Sequence, residues 1–304
     1  MRAQDLSGPR SGPAAAEFHY RLPAVFGGQR PGAHRGSSLG AGQVFAAHRR
    51  LFDHPDPRRI DLRASLRDPR GDWLVRLPRQ RVAVAVHAVV DVSASMHFGA
   101  RHRKLDVVAD FVEALGRSAY RSGDALGLLA FDHGRREDLF MPARHSRGAG
   151  QLMAEALRRC HAEAPDQHDR AHELTPRALQ QTVAPLAGRP GLVFLVSDFH
   201  WPLQALHGVL EQLAPACVLP IVAWDPAETA PPAAHALLAV SDAETGLRRT
   251  LWLREPLRRR WAEAVARRRT ELQALFAAHG LAPFELQGRF DAEALTRYFM
   301  EAVA

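Results

Sequence analysis

Arg81-Val82-Ala83-Val84-Ala85-Val86-His87-Ala88-Val89-Val90-Asp91-Val92-Ser93-Ala94-Ser95-Met96 decides how the rest of the chain is read. Eight of its first ten residues are apolar and five of those are valine, the composition of a strand buried on both faces. A carboxylate ends the run, and two hydroxyls follow at alternating positions. A helical pattern begins by Lys104, so Asp91, Ser93 and Ser95 occupy the tip of a β-loop-α unit. In open α/β sheets that tip lies at the carboxyl edge, where ligands bind. One acid and two hydroxyls make half of a hard-cation site, because Mg²⁺ takes oxygen donors in octahedral array. The same side chains could instead cap backbone amides at an ordinary strand-to-helix turn.

Leu192-Val193-Phe194-Leu195-Val196-Ser197-Asp198-Phe199 repeats the logic. A second apolar strand ends in a carboxylate, and one parallel sheet would bring Asp91 and Asp198 to the same edge. Between them lies an amphipathic helix from Lys104 to Tyr120, with Leu105, Val108, Phe111 and Leu115 on one face. Strands at 124–131 and 138–141 follow, then helices at 148–160 and 174–186. Beyond Asp198 come a helix at 202–213, a strand at 217–223 and two strands around an Asp242–Gly246 turn. A long helix at 255–279, a strand at 284–286 and a helix at 292–301 end the pattern. This alternation specifies an α/β fold, a doubly wound and mostly parallel sheet over residues 80–304. Residues 1–17, rich in Gly, Pro, Ser and Ala, read as a disordered lead-in. Residues 18–79 read as a small β-containing segment, with turns at Gly27-Gly28, Pro31-Gly32 and Gly40.

The chain has 304 residues, 46% of them hydrophobic, enough for a sizeable core. No run approaches the ~18–20 apolar residues of a membrane span, and the amino terminus carries no apolar signal region. Both features predict a soluble, cytoplasmic protein. Cys160 and Cys217 show no ligand spacing and read as free thiols. The net charge of +7 is almost all arginine, Lys104 being the one lysine. Arg258–Arg260 and Arg267–Arg269 on the long helix read as a solvated face, since no aromatic residues interleave for base stacking. Nucleic acid is therefore not the expected partner. His161, His168 and His172 read as surface histidines, because Pro165 opposes the helix that would align them.

Asp91-x-Ser93-x-Ser95 after an apolar strand resembles the metal-ion-dependent adhesion site of von Willebrand factor type A domains. A wider set of residues is more specific: Pro31-Gly32-x-His34-Arg35-Gly36, Gly40-x-Gly42, Phe45-x-x-His48-Arg49, and Pro57-Arg58-Arg59-Ile60-Asp61-x-Arg63-Ala64-Ser65-x-Arg67. It resembles the bacterial domain-of-unknown-function 58 family, DUF58, in which such a segment precedes a von Willebrand A-like strand ending in Asp-x-Ser-x-Ser. His54-Pro55-Asp56-Pro57 stands where that family usually has Pro-Gly-Asp-Asp, and Leu62 where it has tryptophan. The resemblance implies a von Willebrand A type of sheet with Ser197-Asp198-Phe199 as its second acidic element. It also implies a threonine from a Gly-Thr loop. No Gly-Thr occurs in residues 132–191, and Thr175 is the candidate, with a helix N-cap as its other role.

On this resemblance Mg²⁺, or Mn²⁺, is held by Asp91, Ser93, Ser95 and, directly or through water, Asp198. A partner's acidic residue would fill the open position. Family members are typically found beside MoxR-type AAA+ ATPases. Such an ATPase, or a client protein, is the implied partner, in the maturation or remodelling of other proteins such as methanol dehydrogenase. No activated nucleophile or phosphate loop is evident, so the expectation is a binding module rather than an enzyme. Two other classes stay open: a metal-dependent hydrolase on the Asp91/Asp198 edge, and an arginine-driven nucleic-acid binder. If Asp91 is a spare edge carboxylate, Asp91→Ala should leave the apo fold intact.

Overall fold

In the computed structural model the described residues are 17–22, 26–27, 30–161, 171–230, 237–241 and 248–302. Residues 1–16 of the expected lead-in, His168 and the expected 242–246 turn lie outside them. The strands are β1 (Pro31–Arg50), β2 (Leu74–Val82), β3 (Ala85–Asp91), β4 (Ala125–Phe131), β5 (Met141–Arg144), β6 (Leu192–Ser197), β7 (Cys217–Trp224), β8 (Leu237–Ser241), β9 (Arg248–Trp252) and β10 (Phe284–Gln287). The helices are α1 (Leu62–Ser65), α2 (Lys104–Ser122), α3 (Ala149–Arg159), α4 (Ala171–Val183), α5 (Leu206–Gln212), α6 (Pro226–Thr229), α7 (Glu255–Ala278) and α8 (Ala292–Ala302).

Six strands form one sheet in the order β10-β7-β6-β3-β4-β5, parallel except where β5 runs against β4. From β3 the chain first winds outward to β4, then returns to the other side of β3 for β6, β7 and β10. The junction of β3 and β6 is therefore the switch point at which α/β sheets open a crevice. Side chains alternate across it. Val86, Ala88 and Val90 join Leu105, Phe111 and Phe299 under α2, α3 and α8. Val89 and Leu195 join Leu179, Leu206 and Phe276 under α4, α5 and α7. Burial on both faces is why these strands are continuous apolar runs. The expected doubly wound sheet is the observed one. Among the described residues no helix is long and apolar enough to cross a membrane.

Two expectations about the amino-terminal third change. The apolar run from Arg81 is not one strand: Arg81 and Val82 end β2, and the Val84 N–H donates to the Asp124 carboxylate at 2.8 Å before β3 begins. The turns expected at Pro31-Gly32 and Gly40 are instead part of β1, a bulged strand antiparallel to β2. Gly32 and Gly36 serve close approach. A Cβ on Gly32 would lie 2.3 Å from the Ala83 nitrogen, and one on Gly36 2.7 Å from the Gln80 oxygen. Sequence punctuation cannot separate a glycine that turns from one that lets two backbones cross.

Candidate metal centre

Register places the candidate carboxylates together. Val90 pairs with Val196, so Asp91 at the end of β3 faces Ser197 at the end of β6, and Asp198 follows. Both aspartates are wholly buried. Asp91 is surrounded by neutral donors: the Ser93 N–H gives to Oδ1 at 3.0 Å, and Oδ2 accepts from Ser197 Oγ at 2.6 Å and Trp201 Nε1 at 3.1 Å. Asp91 is therefore not a spare edge carboxylate. The premise that this carboxylate is unpaired therefore fails, and its removal would take the acceptor from the buried Ser197 hydroxyl while the Trp201 indole keeps Ser197 Oγ at 3.2 Å. Ser93 Oγ and Ser95 Oγ lie 3.3 Å apart beside it.

Asp198 has a different shell. Lys104, the first residue of α2, puts Nζ 2.6 Å from Asp198 Oδ2 and 2.7 Å from Glu228 Oε1. Glu228 is fixed in turn by the capping box of α6, where its Oε2 accepts from the Asp225 N–H at 3.0 Å. The Asp225 carboxylate takes the Ala227 N–H at 2.8 Å and the Ala100 N–H at 3.2 Å, joining α6 to the loop ahead of α2. The Trp224 indole N–H holds the Asp198 carbonyl at 2.9 Å.

These shells drive the two carboxyls apart. Burial, then the charge of Asp198, pushes Asp91 up to about 6, against the hydrogen bonds from Ser197 and Ser93. Burial pushes Asp198 up as well, but the Lys104 ammonium, His200 and the Ser95 hydroxyl outweigh it and hold the group at about 2. Burial works against the Lys104 charge, yet Asp198 and Glu228 keep its pKa above the ordinary lysine value.

The backbone leaves β6 under constraint. Phe199 has φ of 53°, a left-handed conformation that only a few per cent of non-glycine residues adopt. Its ring is locked between Trp201 (centroids 5.6 Å apart) and Phe276 (5.5 Å). Arg268 of α7 donates to the carbonyls of Phe199 and Trp201. Thus Arg268, expected on a solvated face, instead fastens the loop that carries Asp198 and Trp201. Arg269 likewise lies over the Trp224 ring at 5.4 Å and pairs with Glu285 at 3.1 Å.

Of the residues singled out from sequence, Asp91, Ser93, Ser95 and Asp198 converge. Thr175 is buried in α4, the helix over β4, and already has an interaction partner. It is not an N-cap, because α4 runs from Ala171. Lys104, Trp201 and Glu228 carry no site role in the sequence reading, and Ser197 enters it only as part of the second acidic element. One signal was available for Lys104: a single lysine in a chain that otherwise uses arginine marks a place where a compact ammonium is wanted.

Two places could receive a cation. Ligand atoms of Asp198, His200 and Glu228 all lie within 4.8 Å of one another. Lys104 Nζ, however, already sits between two of those three groups, and a divalent ion would have to displace it. At Asp91 the fit is better. The oxygens are hard donors, and the 3.3 Å between the serine hydroxyls is close to the ~2.9 Å separating neighbouring ligands of an octahedron with ~2.0–2.1 Å bonds. With Asp91 ionised, three carboxylates face one ammonium, leaving negative charge for a cation to neutralise.

The family described as "Protein of unknown function DUF58" matches residues 50–271. A protein of Paracoccus denitrificans, described as an uncharacterized protein in the moxR 3′ region, is 35% identical over 95 residues, 31% of this chain and 90% of that one. Among solved structures, an aerotolerance-related membrane protein from Bacteroides fragilis is similar at 14% identity and a TM-score of 0.40, over 73% of this chain and 98% of that chain. The von Willebrand factor domain of the type V pili tip protein Mfa5 from Porphyromonas gingivalis is similar at 18% identity and a TM-score of 0.24, over 38% of each chain.

Proposed function

The chain belongs to the DUF58 family, and on that premise we propose that it is a non-enzymatic, metal-dependent protein-binding module. In this reading Asp91, Ser93 and Ser95 hold Mg²⁺ or Mn²⁺, Asp198 supports it directly or through water, and an acidic residue of a partner completes the shell. The observation that carries the proposal is the pair of hydroxyls 3.3 Å apart beside a buried carboxylate whose own partners are all neutral. Neutral ligands leave a bound divalent ion electrophilic, so an incoming carboxylate is a favourable further ligand.

Beside the Asp198 side of this edge lies an open cavity of about 290 Å³, lined by His200, Trp224, Glu228, Trp261, Val265 and Arg268. An apolar side chain next to the partner's acid could enter it. The moxR neighbourhood of the Paracoccus relative makes a MoxR-type AAA+ ATPase the first partner to try, and in this reading the two act in the cytoplasm to mature other proteins. The test is co-purification of such an ATPase with the wild type and Asp91→Asn, in Mg²⁺ or in EDTA. Recovery only with wild type in Mg²⁺ is expected. Equal recovery in all four conditions would refute the metal bridge.

A further inference from the structure

The free end of the β1–β2 ribbon is separate from the Asp91 edge. β2 leads into the amino end of β3, whereas Asp91 closes its carboxyl end. Residues 51–73 cap the ribbon. They are pinned by Leu51 N–H to the Trp73 carbonyl at 2.7 Å, Asp61 N–H to the Leu74 carbonyl at 2.8 Å, and Leu74 N–H to Ser65 Oγ at 2.8 Å. From this fixed cap four large apolar side chains protrude: Phe52 is 96% exposed, Leu66 82%, Leu62 62% and Trp73 53%. Leu62 and Leu66 are one helical turn apart, the Leu66 N–H bonding the Leu62 carbonyl at 3.0 Å, so they share a face. Single exposed apolar residues are ordinary, but several on one short cap mark an interaction site.

The surrounding charge is lopsided in use. Most of the cap's carboxylates are consumed by its own structure. Asp56 accepts from the Arg58 N–H and pairs with Arg59, and Asp61 caps α1 and pairs with Arg76. Asp68 takes the N–H groups of Arg70 and Asp72, and Asp72 pairs with Arg50. By contrast Arg49, Arg58, Arg63, Arg67 and Arg70 enter no ion pair among the described residues. The cap therefore combines exposed apolar side chains with five arginines outside any ion pair among the described residues.

We propose that this cap docks an acidic, amphipathic segment of a partner protein. The segment's apolar face would lie on Phe52, Leu62, Leu66 and Trp73, and its carboxylates would meet these arginines. A second copy of this chain would set the same arginines against each other, because a two-fold contact brings like patches together. An anionic bilayer would confront the aspartates as well as the arginines. A protein segment can place its acids individually, and Trp and Arg are the residue types on which protein interfaces concentrate their binding.

The test uses the full chain and a defined probe. It is a 20-residue helical peptide with Leu and Phe on one face and Glu on both flanks, compared with a twin carrying Gln for every Glu. Vesicles of phosphatidylserine and phosphatidylcholine form a third arm. The Glu peptide should bind at least ~10-fold more tightly than its twin, and less tightly as salt rises. Leu62→Ser with Leu66→Ser, and separately Arg63→Glu with Arg67→Glu, should abolish that difference without moving the melting temperature. Asp91→Asn should leave it intact, which separates this surface from the metal edge. Equal affinity for the two peptides, no binding of either, or binding unaffected by the cap variants would overturn the proposal. Cap-dependent binding to vesicles alone would also overturn it, in favour of a membrane surface.

Discussion

Asp91 and Asp198 end neighbouring parallel strands, both wholly buried, and burial pushes both carboxyls upward. They nevertheless come to rest on opposite sides of the ordinary carboxylate value, and the leading cause on the Asp198 side is one ammonium, helped by His200 and the Ser95 hydroxyl. Lys104 reaches Asp198 at 2.6 Å, whereas Asp91 meets only serine hydroxyl, backbone amide and indole donors. The edge is thus divided into a half that carries its own cation and a half that does not. A bare count of acids at a strand edge would treat the two as equivalent. Their second partners make one a structural ion pair and leave the other without a cation among its hydrogen-bond partners, which is where the proposed function puts the metal.

The largest effect expected from breaking this division is at Lys104. Lys104→Met removes the only ammonium from a pair in which both groups are almost fully enclosed. Leaving a buried carboxylate without its partner costs about 3–5 kcal/mol, so thermal and denaturant midpoints should fall sharply. Added Mn²⁺ should restore part of the loss, because the vacated position is ringed by Asp198, His200 and Glu228. In denaturant melts of this variant with and without Mn²⁺, no rescue would show that the three groups cannot act together as ligands.

Substitution at Asp91 comes next. Asp91→Asn keeps an oxygen for Ser197 and Trp201 but loses the charge, whereas Asp91→Ala takes the acceptor from the buried Ser197 hydroxyl at a cost of about 1–3 kcal/mol, the Trp201 indole keeping Ser197 Oγ at 3.2 Å. The alanine variant should therefore melt below the asparagine variant. Both should lose the stabilisation Mg²⁺ gives the wild type, about 2.7 kcal/mol at 100 times the dissociation constant. Differential scanning calorimetry across an Mg²⁺ series reads both effects.

A smaller effect is set by pH. The folded pKa of Asp91, about 6, lies above the ordinary 3.8. Its contribution to apo stability is therefore complete below 3.8 and lost as pH rises through 6. Asp198, at about 2, has the opposite sign: its contribution is present above 3.8 and lost as pH falls toward 2. Mg²⁺ needs Asp91 ionised, so its affinity should rise about 10-fold between pH 5 and pH 7, with proton release on binding. Titration calorimetry in two buffers of different ionisation enthalpy measures that release. A pH-independent affinity would mean that Asp91 is not a ligand.

How much of this was legible depends on what each residue answers to. Asp91, Ser93, Ser95 and Asp198 follow directly from apolar strands that stop in polar residues, and the parallel sheet that brings them to one edge follows from strand-helix alternation, whereas the adjacency of β3 and β6 does not. Lys104 and Glu228 are separated by 124 positions, and each is placed by a different helix, so no local pattern links them. Trp201 reads as a core aromatic until its indole is seen to face Asp91. Arg268 lies in a charge run of the kind helices usually turn to solvent, yet its guanidinium sits on the loop that follows β6. Gly32 looks like a turn residue in sequence because close approach and turning call for the same residue.

The division of the edge can be seen directly by soaking crystals in Mn²⁺ and recording anomalous scattering at the manganese edge. The account predicts one peak among Asp91, Ser93 and Ser95, with Lys104 still bonded to Asp198 and Glu228. A peak enclosed by Asp198, His200 and Glu228 with the Lys104 ammonium displaced would contradict it.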